Sequence, residues 1–426
     1  MINRKIQPSF EQIDKIEIIE AQKHVLSNKI PLYYINSESH DVVKIDFLFW
    51  AGSYYQESPL IALATNTMLN DGTKTQTSHE IAEKLDFYGA HLQLNTGKHF
   101  ASISLFTLNK YLPQTIAIVE DIIKNSIFPE KEFKTYVEKR KQQHIIESAK
   151  VENMARKRFS EVVFGTGHPY GMSAEIKDYE NLTTKQLKAF YLRHYSINNC
   201  QIMASGSINN ETINIINQSF GGNNWNNAPK VIEKIIETKP ERELKHYLPK
   251  KGAVQSAIRI GKECINKTHK DYAGLQVLNT ILGGYFGSRL MANIREDKGY
   301  TYGINSILAS LKHTGYFIIV SEVGAKVSKK AVNEIFTEIK KIREELIPEK
   351  ELSLVKNYLL GEILRIFDGP FALADSFVAL LEYDLDYEYY YNLITTVKNI
   401  TSESLKELAN KYLVENSIYE VVAGKI

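Results

Sequence analysis

Apolar residues alternate with polar ones in some stretches of this chain and recur at helical spacing in others, and the two rhythms mark out strands and helices. Val42 to Trp50 (V-V-K-I-D-F-L-F-W) alternates over much of its length and reads as a strand ending at Ala51-Gly52-Ser53. Ahead of it, Ile16 to Ile19 and His24 to Ile35 read as short extended segments, with a turn at Ser27-Asn28-Lys29. A helix follows from Ile61, then another from Ser78, read as its N-cap, to Tyr88, with Gly89 as the stop. His91 to Leu108 returns to strand-like alternation, whereas Leu112 to Asn125 and Lys131 to Phe159 carry helical spacing.

The plan then repeats. Phe128-Pro129-Glu130-Lys131-Glu132-Phe133 is echoed by Ile347-Pro348-Glu349-Lys350-Glu351-Leu352, and Asn181-Leu182-Thr183 by Asn399-Ile400-Thr401. Leu187-Lys188 and the strand Gln201 to Gly206 match Leu405-Lys406 and the strand Tyr419 to Gly424. The pairs stand 218 or 219 residues apart, a domain duplication and far longer than a solenoid period. Strands mixed with long helices in each copy imply an α+β fold, two homologous units each with a sheet covered by helices. We place the first unit at 1–225, an exposed linker at 226–250 and the second unit at 251–426, because Gly221 to Lys251 is first Asn-rich and then charged.

Composition narrows the function classes. With 426 residues, 43% hydrophobic and 24% charged, the chain is an ordinary globular protein long enough for two sizeable cores. A formal net charge of +2 gives no electrostatic case for nucleic acid, a membrane surface or a polyanionic substrate. The basic stretch Lys239 to Lys251 is broken by two Glu and two Pro and reads as solvated connector. Cys200 and Cys264 lie far apart, as expected of reduced cytoplasmic thiols, although a periplasmic chain could have the same count. The opening M-I-N-R-K-I-Q-P-S-F lacks the apolar core of a signal peptide, so the expected compartment is the cytoplasm, or the periplasm if a leader has been removed.

The stretch with the most chemical content is Ile61 to Thr73, I-A-L-A-T-N-T-M-L-N-D-G-T. It resembles the metal-binding helix of the insulinase/pitrilysin zinc peptidases, near the branch of the mitochondrial processing peptidases, in which His-x-x-Glu-His precedes a Met-Leu-x-x-Gly-Thr run. Met68-Leu69-Asn70-Asp71-Gly72-Thr73 keeps that run and sets the register, so the three chemical positions fall on Leu63, Asn66 and Thr67. In an active motif two imidazoles on one helix face grip Zn²⁺ and the Glu acts as general base on the bound water. Leu63 has no lone pair to offer, Asn66 cannot accept a proton near neutral pH, and Thr67 is a poor zinc ligand. The family's third ligand, a Glu on a later helix, falls by count near Gln143 and His144, with Glu147 one turn on. His144 reads as a structural or exposed histidine. His79-Glu80-Ile81-Ala82-Glu83 misses the second His of H-E-x-x-H, and Glu80 and Glu83 suit a helix N-terminus instead. His168-Pro169-Tyr170-Gly171 resembles a turn recurrent in the family and reads as architecture.

In the second copy, Gly283-Gly284-Tyr285-Phe286-Gly287-Ser288-Arg289-Leu290 leads into Ile294 to Gly303. This resembles the family's Gly-Gly-x-x-x-Ser-Arg-Leu segment followed by an Arg and a Tyr seven apart, which fall on Arg295 and Tyr302. Guanidinium and phenol are both donors, suited to a peptide carbonyl that gains negative charge as water adds to it. The G-G-x-x-G-S run lacks the G-K-[ST] of a phosphate cradle and reads as a flexible turn; by resemblance Gly283 and Gly284 give it freedom to contact substrate.

The resemblance spans nearly the whole chain and implies a half clamshell built from the two units. It also implies a non-catalytic subunit, with no metal of its own, paired with a homologous chain that retains His-x-x-Glu-His and carries zinc. In such a heterodimer Arg295 and Tyr302 would reach the peptide held at the partner's metal; self-association is the lesser form of assembly. A scaffold or peptide-binding protein without enzymatic role, as core subunits of respiratory complexes resemble, is the alternative, and an active peptidase with displaced ligands (His144, Glu147, His79) a third.

Overall fold

A computed structural model describes residues 13, 15–37 and 41–425 of the chain; the opening decapeptide lies outside them. The first sheet holds six strands, β1 (Gln22–Val25), β2 (Pro31–Asn36), β3 (Val42–Trp50), β4 (His91–Thr96), β5 (Phe100–Leu108) and β6 (Cys200–Gly206), in the order β1-β2-β6-β3-β5-β4. The second holds β7 (Lys245–Pro249), β8 (Gln255–Cys264), β9 (Thr301–Ser310), β10 (Gly315–Gly324) and β11 (Tyr419–Gly424), in the order β7-β11-β8-β10-β9. Without β1 the two orders are the same, and in each the one parallel pair is the equivalent one, β2 with β6 and β7 with β11. The duplicated sequence therefore folds as a duplicated topology. Its two Pro-Glu-Lys-Glu runs open equivalent helices, Glu130–Ser148 and Glu349–Ile366, each with proline at the cap.

Several expected boundaries move. Ile16 to Ile19 forms no strand; Ile16 is instead buried in the second unit's core. The hydroxyl of Thr77, one residue before Ser78, caps the helix Ser78–Phe87. The stretch His91 to Leu108 is a hairpin, and Lys131 to Phe159 is two helices, Glu130–Ser148 and Val151–Phe164. The second sheet begins within the expected linker, because Lys245–Pro249 is β7. Nor is the rest of that linker a free connector. Lys239 and Glu241 donate backbone hydrogen bonds to Phe164 and Val162, and Ile236 donates to the Tyr54 hydroxyl.

Each unit lends a helix to the other. Val151–Phe164 belongs to the first unit by sequence, yet its Ala155, Phe159, Val162 and Val163 share a core with Ala257, Ile318 and Val421 of the second sheet. In return, Pro370–Leu381 packs against β2 and β6 of the first sheet. This explains the polar alternation of β3. Lys44 and Asp46 sit on the same strand face and are 7% and 4% exposed, because Asp375 of the visiting helix completes their ion pairs. This polar face of β3 is an interface between units.

The run that follows the degenerate motif acts as a structural knot. Thr73, Thr75 and Gln76 all donate to Asp121, and with Asn125 they outweigh burial and hold its carboxyl below the usual range. Gly72 turns the chain at φ 154°, and a Cβ there would lie 2.8 Å from the ring of Pro129. Gly72→Ala is expected to cost about 1–3 kcal/mol in urea denaturation, from left-handed strain plus the contact with Pro129.

Helix Thr184–His194 packs on the motif helix and ends on a buried histidine. His194 donates from Nδ1 to the Trp50 carbonyl at 2.7 Å and stacks on Phe190; burial pushes its pKa down to about 4, against the pull of that hydrogen bond. Because the folded value lies below the unfolded one, the neutral ring contributes fully above about pH 6.5 and the contribution is lost as pH falls toward 4, up to about 3 kcal/mol. Denaturation midpoints should fall over that interval, and His194→Gln should flatten the fall.

Candidate functional site

The motif helix, Ile61–Thr67, is seven residues long and lies with Ile61, Ala62, Ala64, Thr65 and Asn66 buried. Leu63 presents hydrocarbon, 37% exposed. Asn66, at the position of the general base, is 1% exposed and engaged at both ends. Its Nδ2 donates to the Asn95 carbonyl on β4 at 2.8 Å, and its Oδ1 accepts the Tyr195 hydroxyl at 3.0 Å. Tyr195 is wholly buried, and burial lifts its phenol far above the ordinary value, so it remains a neutral donor. The amide thus ties the motif helix to the edge of the first sheet and to the end of helix Thr184–His194. Thr67 is half-buried at the end of the motif helix. A zinc ion does not fit these residues: the donor set is hydrocarbon, amide and hydroxyl, and the amide is already consumed by the fold.

The displaced ligands do not assemble either. His144 lies against the Tyr179 ring at a tilt, and Glu147 pairs with Lys150 and accepts from Asn153. Both line a cavity of about 770 Å³ that none of Leu63, Asn66 and Thr67 reaches. His79 faces Glu83 across 3.9 Å on an exposed helix surface. Among the described residues, the one group of three metal-capable side chains lies elsewhere, at His99, Glu233 and His313.

In the second unit, the glycine pair is not the flexible turn expected. Thr280–Gly284 and Met291–Asp297 are both π-helical, a widened winding that is uncommon and often found at functional sites. Gly283 is buried, and a Cβ there would meet the Ser306 nitrogen at 2.6 Å, so glycine lets this turn lie flat against β9. Gly284 is exposed and, with Gly283, Phe286 and Gly303, lines a cleft of about 480 Å³ floored by the Arg259–Glu322 pair. Arg295 lies on the second π-helical segment with its guanidinium 4.6 Å from the Phe286 ring centre. Tyr302 is 94% exposed on β9, the edge strand of its sheet. Among the described residues neither Arg295 forms an ion pair nor Tyr302 a hydrogen bond. The sequence did not reveal Tyr195, whose partnership with the motif helix joins chain segments far apart in sequence.

Residues 32–167 match the sequence profile described as "Insulinase (Peptidase family M16)", and residues 181–359 match "Peptidase M16 inactive domain". The chain is similar to an uncharacterized zinc protease of Bacillus subtilis, YmxG, at 22% identity, covering 80% of this chain and 83% of that one. It is similar at 20% identity to a probable inactive metalloprotease of the same organism, YmfF, covering 59% of this chain and 58% of that one. Among solved structures, a peptidase M16 inactive domain from Pseudomonas fluorescens superposes with a TM-score of 0.86 at 22% identity, covering 96% of this chain and 99% of that one.

Proposed function

Because this chain belongs to the insulinase (M16) peptidase family as an inactive member, we propose that it is the non-catalytic subunit of a two-chain metallopeptidase. Its partner is a homologous chain that retains His-x-x-Glu-His and supplies zinc, ligands and base; this chain contributes no catalytic metal. Its own share is the second-unit surface. An extended peptide lies along the free edge of β9, and Arg295 and Tyr302 donate hydrogen bonds to the scissile carbonyl oxygen as charge develops there.

The observation that supports this reading is an asymmetry. At the general-base position the side chain is locked into the fold through Asn95 and Tyr195, whereas in the second unit, among the described residues, Tyr302 forms no hydrogen bond on an open edge strand and Arg295, half-buried against Phe286, forms no ion pair. A chain that only filled space in a scaffold would have no need of a phenol left 94% exposed on an edge strand.

Reconstitution tests it. The purified chain is mixed with a homologue bearing the intact motif, and cleavage of an unstructured peptide is followed. Hydrolysis is expected from the mixture and not from either chain alone. A homologue that cleaves equally fast without this chain overturns the reading, and a stable complex that never cleaves supports the scaffold instead.

A further inference from the structure

The two units and the linker converge on one buried polar cluster. His99 ends the turn between β4 and β5, and His313 lies in the turn between β9 and β10, the equivalent hairpin of the second unit. Duplication has thus brought two matching hairpin tips together, and Glu233 from the linker lies between them. His99 Nδ1 is 2.8 Å and His313 Nε2 2.9 Å from the same oxygen, Glu233 Oε1. One ligand atom from each of the three residues lies within 4.8 Å of the others. We propose that His99, Glu233 and His313 bind a divalent transition-metal cation of the zinc type, which pins the two units to each other through the linker.

Three features carry this. The donor set, two imidazoles and one carboxylate, is one that zinc-class cations take readily. The His313 Nε2 atom is buried and, among the described residues, meets only Glu233 Oε1, at 2.9 Å and off hydrogen-bond alignment. A buried imidazole nitrogen without a partner is costly, and a cation among these three atoms would engage it. Finally, the ring of His99 is already oriented from behind: its Nε2 faces the Tyr170 hydroxyl at 2.7 Å, and Tyr54 stacks on it with ring centres 4.7 Å apart. Such outer contacts fix the tautomer and direction of a metal-binding histidine.

The spacing is compact but near what a metal needs. Ligands about 2.0–2.1 Å from zinc stand about 3.3 Å apart at tetrahedral corners, so the two imidazole contacts to Glu233 Oε1 would each widen by about half an ångström. Lys312 lies 3.4 Å from the other carboxylate oxygen, Oε2, and its charge opposes a cation. That opposition is blunted on its far side, where Lys312 also meets Asp384 at 3.3 Å and the face of Trp50 at 4.0 Å. Glu233 then presents Oε1 to the metal and Oε2 to Lys312. Without a cation, the His99 ring, the Tyr55 hydroxyl, His313 and Lys312 together outweigh the burial of the same carboxylate and hold its pKa well below the usual range.

The test uses the full chain alone, stripped with a chelator, and is independent of any peptidase activity. Cobalt(II) is titrated in and read by its ligand-field absorption, then displaced by zinc. One equivalent is expected to bind, with the intense visible bands of a four-coordinate site, and zinc is expected to raise the thermal midpoint. His313→Gln, on a turn and checked for folding by circular dichroism, should weaken binding about 100-fold or more, and His99→Asn likewise. His144→Ala and His79→Ala should leave it unchanged. The proposal is overturned if the stripped chain takes up no cobalt or zinc, if binding survives His313→Gln, or if binding instead follows His144.

Discussion

Replacing Asn66 by Asp is expected to cost about 3–5 kcal/mol of stability at about pH 8 and much less at about pH 5. The substitution keeps the shape and changes one atom: an oxygen replaces the Nδ2 that now donates to the Asn95 carbonyl at 2.8 Å. At high pH, carboxylate and carbonyl face each other in a site 1% exposed, with only the Tyr195 hydroxyl to offset the charge. Burial raises the folded pKa of such a group above its unfolded value near 3.9, so the penalty grows as pH rises through the interval between the two. Below that interval the protonated acid can donate to Asn95 again and most of the loss is recovered. Asn66→Ala leaves Tyr195 without its acceptor and is expected to cost about 1–3 kcal/mol with no comparable pH dependence. Urea denaturation of both variants across pH is the measurement. A pH-independent deficit in Asn66→Asp would show that the amide is not donating as described. The same reasoning says why rebuilding the metal motif in this chain should fail: a Glu at position 66 would need room and donors that the fold has assigned elsewhere.

Much of the architecture could be read from the sequence because the duplication left matched runs at a constant offset, and those runs cap helices and end strands in both units. Val42 to Trp50, Leu112 to Asn125 and Tyr419 to Gly424 lie where periodicity put them. Periodicity does not tell which face of a strand another unit covers. Lys44 and Asp46 alternate like solvent-facing residues, yet they are buried under helix Pro370–Leu381, because an ion pair closed by Asp375 permits charge in an interior. The glycine pair misled in a related way. Gly-Gly after a helix usually marks a turn, but here Gly283 is small so that a widened helix can approach β9. Local sequence cannot tell freedom from close packing at a glycine. The cluster of His99, Glu233 and His313 was invisible for a simpler reason. Its members are separated by more than a hundred residues on one side and eighty on the other, with no motif spacing, and only the pairing of equivalent hairpins unites them.

In a reconstituted pair, Arg295→Ala and Tyr302→Phe are each expected to lower kcat by about 10²–10³, with KM nearly unchanged. That split follows from when the interaction forms. A neutral peptide carbonyl gains little from a guanidinium, whereas the oxyanion that develops on water addition gains a great deal, so the loss falls on the transition state. Both substitutions should leave the fold intact, which makes the readout clean: Tyr302 is 94% exposed, and Arg295 contributes no ion pair among the described residues, only its stacking on Phe286. The Arg295→Lys variant separates charge from geometry. An ammonium restores the charge but not the planar fork of donors or the stacking on an aromatic face, so recovery should be partial. The double variant should lose less than the product of the single losses if both groups contact one oxygen, since removing either loosens the other's target. An increase in KM alone would move the pair from oxyanion stabilisation to peptide docking along β9. Unchanged kinetics in both single variants would leave this subunit a scaffold, with Tyr302 facing water and Arg295 serving only to cover Phe286.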